Sequence, residues 1–384
     1  MSVLIVGGGV VGLSAAIAMH QRGFVVRLLD AGPLTVTTSP SRVYAINQAS
    51  QALLKTWGVW DFMDEVELSP YRHMHVWDDK NQAYIDFDAR MIGMDRLGYM
   101  IEESVIKRAL LQKAATLAIE LIPHCKVSHV ESTAEAIYVT DGETRWAAEL
   151  LMIADGALSA TRELLNVPLT TWSYHQQAIV ATVRTEKPHQ HTAYQVFRSQ
   201  GPLAFLPMNN LHECSIVWST VPSHAEQLMS MSDEEFGDEL TRSFASKLGQ
   251  TAVVSKRHQF PLRMRHVKHY SGDRWLILGD AAHTIHPLAG LGLNIGLADL
   301  ATWLTQLQEN HGPTWSTRSL SRYQRQRKHA LWQTIGLMEG LHVLFTNPLP
   351  PVTALRGLGL TLCNRLLPVK RLLIEHAAGM RVGF

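Results

Sequence analysis

The chain opens on an arrangement that few folds tolerate. An apolar run, Val3 to Val6, leads straight into Gly7-Gly8-Gly9-Val10-Val11-Gly12 and then into a helix-forming stretch. Gly7, Gly9 and Gly12 stand in G-x-G-x-x-G spacing between a strand and a helix, the context in which that spacing carries meaning. Gly7 permits a tight turn, Gly9 removes a side chain where an outside group must approach backbone, and Gly12 lets helix and strand pack closely. A helix from Gly12 to Arg22 is followed by a second apolar run, Val25 to Asp30, which ends on an acid. Such a β-α-β unit holds phosphate at its helix N-terminus. The chain is therefore expected to be α/β and to bind a dinucleotide, with Asp30 reaching the adenosine ribose. The spacing serves NAD and FAD alike; later segments separate them.

Two more short apolar strands, Leu150 to Ala154 and Trp275 to Gly279, each end in a glycine-and-aspartate turn. Between them Ala178 to Arg184, Ala193 to Arg198, Leu203 to Pro207 and Glu213 to Ser219 alternate between turn residues, as an antiparallel sheet does. Ser232 and Glu235 form a capping box for a helix running to about Leu248. Mixed helix and loop is expected up to about residue 120, and mostly helix after Asn294. Strands of one sheet thus come from both ends of the chain. The predicted organisation is a discontinuous Rossmann-like domain (1–170 and 258–320) with an inserted antiparallel-sheet substrate domain. That insert is mainly 171–257, with contributions from about 65–100, and a helical C-terminal region, 321–384, follows.

With 384 residues and a formal net charge of +1, the chain can bury a large core and is not built to coat nucleic acid. The charge is uneven: residues 318–384 carry +8 and the remainder −7. Leu355, Leu358, Leu362 and Leu366 recur there at helical spacing, near Arg356, Arg365, Lys370 and Arg371. That stripe reads either as an interfacial or docking helix or as one packed on the protein's own core or on a second copy. Three scattered cysteines, Cys125, Cys214 and Cys363, point to reduced thiols in the cytosol. No secretory signal and no membrane span is expected, because three glycines break the first apolar run and Arg356, Arg365 and Pro368 interrupt the last.

The segment Ala154-Asp155-Gly156-Ala157-Leu158-Ser159-Ala160-Thr161-Arg162 resembles the D-G-x-x-S-x-x-R signature of flavoprotein aromatic hydroxylases. There it lies near the flavin and the nicotinamide pyrophosphate, which implies roles for Asp155, Gly156 and Arg162. The most specific segment runs from Leu276 to Asn294. By the same resemblance Gly279 and Asp280 meet the ribityl chain of FAD. Pro287, Gly290, Gly292, Leu293 and Asn294 bring a helix N-terminus to the flavin pyrimidine ring, where its dipole and free N–H groups stabilise negative charge. His283 and His286 have metal-ligand spacing but no third ligand nearby, so no metal site is expected. No second strand-G-x-G-x-x-G-helix unit occurs, so NAD(P)H or another electron donor would visit a groove.

The remaining segments resemble the ubiquinone-biosynthesis hydroxylases. Arg42, Ala45, Ser50, Leu54, Gly58, Val59 and Trp60 match one family block, and Gly98 onward matches the next. The stretches around Gln177, Gly201 and Ser215 and the tail from Met338 match as well. Two departures stand out: Leu291 replaces a family Gln, and Asp30 replaces a family Glu. The resemblance implies a monooxygenase using FAD and dioxygen through a flavin C4a-hydroperoxide, with a polyprenylated phenol or quinol as substrate. Arg42 lies near the flavin in relatives; Arg42 and His286 are the expected polar groups at the reacting ring. Other ubiquinone-biosynthesis proteins, a second copy of the chain and the cytoplasmic face of the inner membrane are the expected partners. Two other readings stay open at this stage: an FAD enzyme acting on a different aromatic substrate, and a non-catalytic flavoprotein scaffold.

Overall fold

The computed structural model describes residues 1–36, 42–81, 83–285, 290–309, 316–347 and 349–380. Ser2–Val6 lies inside a six-stranded sheet, between Leu150–Ile153 on one side and Val25–Leu29 on the other, parallel to both. Trp275–Ile277 continues the parallel set beyond Leu150–Ile153, and Glu120–Ile122 beyond Val25–Leu29. Ser271–Gly272 closes one edge antiparallel. Strands covered on both faces read as unbroken apolar runs, and Leu150 to Ile153 are wholly buried. The helix Val10–His20 is apolar nearly all round and is buried nearly all round, packed on the helices Glu103–Thr116 and Gly292–Glu309. This is a Rossmann-like α/β fold whose sheet draws strands from both ends of the chain.

A second, larger sheet runs in the order His283–Thr284, His258–Val267, Leu169–Thr185, Glu213–Thr220, Leu203–Pro207, Thr192–Phe197, His73–Asp78, Tyr84–Asp88. Its pairings are antiparallel except that of Thr192–Phe197 with His73–Asp78. One face packs on the helices Pro222–Ser230 and Asp233–Ser243 through Phe205, Ile216, Trp218, Phe236 and Phe244. The Ser232–Glu235 capping box forms as expected, but its helix stops at Ser243, where Ala245 and Ser246 turn to positive φ. Among the described residues, four helices follow the last strand: Gly292–Glu309, Thr317–Thr346, Pro350–Arg365 and Leu367–Ala377.

The region before residue 120 differs from the expected helix and loop. Val43–Asn47, Ser69–Tyr71 and Gly98–Glu102 form a small antiparallel sheet, and His73–Asp78 and Tyr84–Asp88 form a hairpin on the large one. The physical reason is that these strands are short: Val43–Asn47 and Ser69–Tyr71 are defined only by pairing with the distant Gly98–Glu102, and the polar-rich hairpin by docking of His73–Asp78 on Thr192–Phe197.

Candidate cofactor and active site

The first glycine segment forms a cradle. Gly7 has φ +112°, and a Cβ there would fall 2.3 Å from the Ala154 carbonyl oxygen, so only glycine lets the turn lie against the neighbouring strand. At Gly12 an added Cβ would meet the Gly7 oxygen at 1.9 Å, which fixes the close helix–strand approach. Gly9 differs, because nothing lies within 4 Å of its Cβ position. It caps the helix Val10–His20 with no side-chain hydrogen bond and no acid in the first turn, so the helix presents bare N–H groups to open space.

That space is a cavity of about 350 Å³ lined by Gly7, Gly9, Asp30, Cys125, Asp155, Gly156 and Thr161, among others. Two segments far apart in sequence, the first glycine turn and the Asp155-Gly156 turn, therefore share one wall. Asp30 stands just past the strand Val25–Leu29 and accepts the Gly8 N–H at 2.5 Å and the Gly32 N–H at 2.7 Å. A carboxylate has about four acceptor sites, so two such bonds leave Asp30 capacity for hydroxyl groups. Asp155 accepts the Thr161 N–H at 3.1 Å through Oδ2. Its Oδ1 and the Thr161 hydroxyl are buried and find no partner among the described residues. Buried polar atoms without partners at a cavity wall are what a polar ligand would satisfy. Burial and the nearby Asp141 push the Cys125 thiol on the same wall up to about 11.

The side chain of Arg162 is 3% exposed, and its guanidinium donates to the Ala281 carbonyl at 3.0 Å. It braces the Asp155 turn against the Gly279–Ala281 turn. Burial holds its pKa below the usual value for arginine.

The third segment is locked from several sides. Gly279 has φ +57° and gives its N–H to Asp299 Oδ2 at 2.8 Å. Asp280 is held above the usual carboxylate range by burial, opposed by His283 and Arg42. Arg42, at the entry to Val43–Asn47, loses charge stability to burial. The Tyr44 hydroxyl beside it, then Asp280 and Glu103, outweigh that, so its pKa lies above the ordinary value. Asn294 ties the two segments together: its amide donates to Ala45 O at 2.7 Å and to Gly290 O at 3.2 Å, and its carbonyl accepts the Asn47 N–H at 3.1 Å. Gly290, φ +60°, presses against Ala45, and no atom lies within 4 Å of a Cβ at Gly292, the first residue of its helix. Leu293 is in the core, whereas Leu291 packs between the main core and an apolar cluster containing Phe197, Met338 and Phe345. His286 and Pro287 lie outside the described residues.

Sequence reasoning missed a buried triad. Asp299 is wholly buried and pairs with His283 Nε2 at 2.7 Å and Arg327 Nε at 2.5 Å. Two charged groups and a ring nitrogen thereby brace the Gly279 backbone from beneath. The available signal was one acid in the otherwise apolar run Ile295 to Leu300.

A family described as FAD binding domain matches residues 1–337. The 3-demethoxyubiquinol 3-hydroxylase of Escherichia coli K12 is 32% identical, over 98% of this chain and 98% of its own. Ubiquinone hydroxylase UbiL of Rhodospirillum rubrum is also 32% identical, over 98% and 89%. Among solved structures, p-nitrophenol 4-monooxygenase PnpA of Pseudomonas putida superposes with a TM-score of 0.79 at 17% identity, covering 97% of this chain and 96% of its own. A probable FAD-dependent monooxygenase of Pseudomonas aeruginosa, PqsL, gives 0.78 at 19% identity, covering 94% and 99%.

Proposed function

Because the chain belongs to the FAD-binding hydroxylase family that includes the ubiquinone-biosynthesis enzymes, we propose that it hydroxylates the ring of a polyprenylated phenol or quinol on the way to ubiquinone. It is an FAD-dependent monooxygenase. The observation that carries this reading is the likeness to ubiquinone hydroxylases along essentially the whole chain, joined to a site in which every flavin segment interlocks.

The residues fit FAD. The bare N–H groups after Gly9 take the pyrophosphate, and Gly9 leaves room for it. Asp30 takes the adenosine ribose with its remaining acceptor sites. The Asp155 Oδ1 and the Thr161 hydroxyl, buried without partners, turn toward the same ligand. Asp280 accepts from the ribityl chain, kept in place by Asp299 through the Gly279 N–H. The helix N-terminus at Gly292 holds negative charge at the pyrimidine edge. Bound FAD supplies dioxygen activation and transfer of one oxygen atom to the ring, with electrons from NAD(P)H or another donor. Arg42, set beside Tyr44, Asp280 and Glu103, and His286 serve as the polar groups at the reacting ring. Leu291 and the apolar cluster beside it exclude water and favour a hydrocarbon tail. No described helix is long and apolar enough to cross a membrane.

Incubating the FAD-loaded protein with a short-chain prenylphenol, reductant and isotopically labelled dioxygen tests this. One labelled oxygen should enter the ring, and Arg42→Ala should cost roughly 100-fold in turnover with flavin retained. Reduced flavin that is reoxidised without any labelled ring product would overturn the reading.

A further inference from the structure

Sequence alone left several fates for the leucine stripe near the C-terminus, and the structure removes one of them, packing on the protein's own core. Leu355, Leu358, Leu362 and Leu366 are 67%, 61%, 54% and 50% exposed. They do not pack on the protein's own core. Leu367 and Leu372 extend the same exposed surface along the next helix. Single exposed leucines are ordinary, whereas a contiguous patch on successive helices marks a surface with an apolar occupant.

The helix Pro350–Arg365 cannot roll to hide this face. Its inner side carries Arg356, buried, whose guanidinium meets both oxygens of the wholly buried Asp78 at 2.5 and 3.0 Å and also donates to Phe345 O at 2.8 Å. Gly357, beside it, sits so close to Asn81 that an added Cβ would fall 2.8 Å from the amide nitrogen. Asn81 in turn donates to Thr353 O at 2.9 Å. Rolling the leucines inward would break a buried ion pair, so their outward direction is set by the fold.

Two features identify the occupant. No Asp or Glu occurs between Glu339 and Glu375, while Arg365 and Arg371 are exposed among the leucines. An apolar face that carries cations and no acid within residues 355–372 complements anionic lipid headgroups over acyl chains. Behind the face, Leu360, Cys363 and Leu373 belong to the apolar cluster that includes Phe345, Met338 and Leu291, the residue between Gly290 and Gly292. Hydrocarbon-lined contact is thus continuous from the outer helix to the loop of the third segment.

We propose that the outward leucine face of residues 355–372 inserts into the interfacial layer of an anionic phospholipid bilayer, so that prenyl tails pass from the bilayer into the cluster behind it. This deepens the functional reading above and rests on it for the identity of the tail.

The test is flotation of the FAD-loaded full chain with phosphatidylcholine vesicles, with and without roughly 30% phosphatidylglycerol. The wild type should float with the anionic vesicles and more weakly with the neutral ones. The double variant Leu358→Glu/Leu362→Glu should lose about tenfold or more of this partitioning, since each outward leucine becomes a charge in the lipid interface. Arg365→Glu should erase the preference for anionic vesicles. Flavin content and thermal midpoint should match wild type in both variants, because these side chains are exposed. Failure of the wild type to float, or a double variant that floats like wild type, overturns the proposal. So does a wild-type dimer that the double variant dissociates without any vesicle binding, which would make the face a contact between copies. Turnover of a water-soluble short-chain prenylphenol separates the two readings. Turnover without flotation removes only the membrane surface, and flotation without turnover removes only the hydroxylase reading.

Discussion

Replacing Asp299 by Asn would leave the Arg327 guanidinium, 3% exposed, without its counter-charge. Removing one partner of a buried pair costs about 3–5 kcal/mol, so Asp299→Asn should lower stability by that order in urea unfolding. Burial works against the Asp299 charge, but His283, Arg327 and the Gly279 N–H outweigh it and hold its pKa below the usual carboxylate range. A folded value below the unfolded one stabilises fully above the unfolded pKa of about 4, and that stabilisation is lost as pH falls through the folded value. Acid unfolding of the wild type should therefore contain a component, present below that pH, that the Asn variant lacks; identical acid profiles would refute this. The glycines give a second contrast. Gly9→Ala meets open space, so the protein should fold normally yet bind FAD about tenfold or more weakly, equivalent to ~1.4 kcal/mol. Gly12→Ala would collide with the Gly7 carbonyl and should lower the thermal midpoint itself. Equal flavin affinity for Gly9→Ala and wild type would remove the cradle assignment.

At the scale of elements, the join between Val43–Asn47 and the helix beginning at Gly292 decides how Arg42 stands relative to Asp280. Asn294→Ala removes two donated bonds and one accepted bond at buried positions, which should cost about 1–3 kcal/mol and weaken flavin binding. Unchanged flavin affinity in a destabilised Asn294→Ala protein would show the join to be structural only. The Gly292 helix and the core strands were legible in the sequence because burial on both faces gives unbroken apolar runs and glycines mark the turns. The hairpin of His73–Asp78 and Tyr84–Asp88 was not, because His73, His75, Asp86 and Asp88 read as loop until Thr192–Phe197 arrives to pair with it. Leu169–Thr185 showed only its second half. A register shift between Ser173 and Gln176, with His175 at φ +52°, breaks the alternation that would have revealed the first. At the site, the tight turn at Gly7 and the close helix–strand approach at Gly12 could be read directly. Asp299 and Arg327 could not be, because their pairing spans two helices, nor could the bond from Arg162 to the Ala281 carbonyl.

Across the whole molecule, the parallel sheet and its helix termini provide the cofactor cradle, and the large sheet with the C-terminal helices supplies an apolar flank meeting it at Leu291. Leu291 fits that division: it joins the loop of the third segment to the apolar cluster. The direction of the leucine stripe was illegible for the same reason as the triad, since it depends on Arg356 reaching Asp78 far away in sequence. The central claim, hydroxylation of a polyprenylated ring in ubiquinone biosynthesis, is tested most directly in cells. The protein would be expressed in ubiquinone-producing bacteria, each strain lacking one of the ring hydroxylases, and the quinone lipids measured by mass spectrometry. Restored ubiquinone in one of these strains is the predicted result, and the rescued strain identifies the ring position. A folded, flavin-loaded protein that restores ubiquinone in none of them would contradict the account.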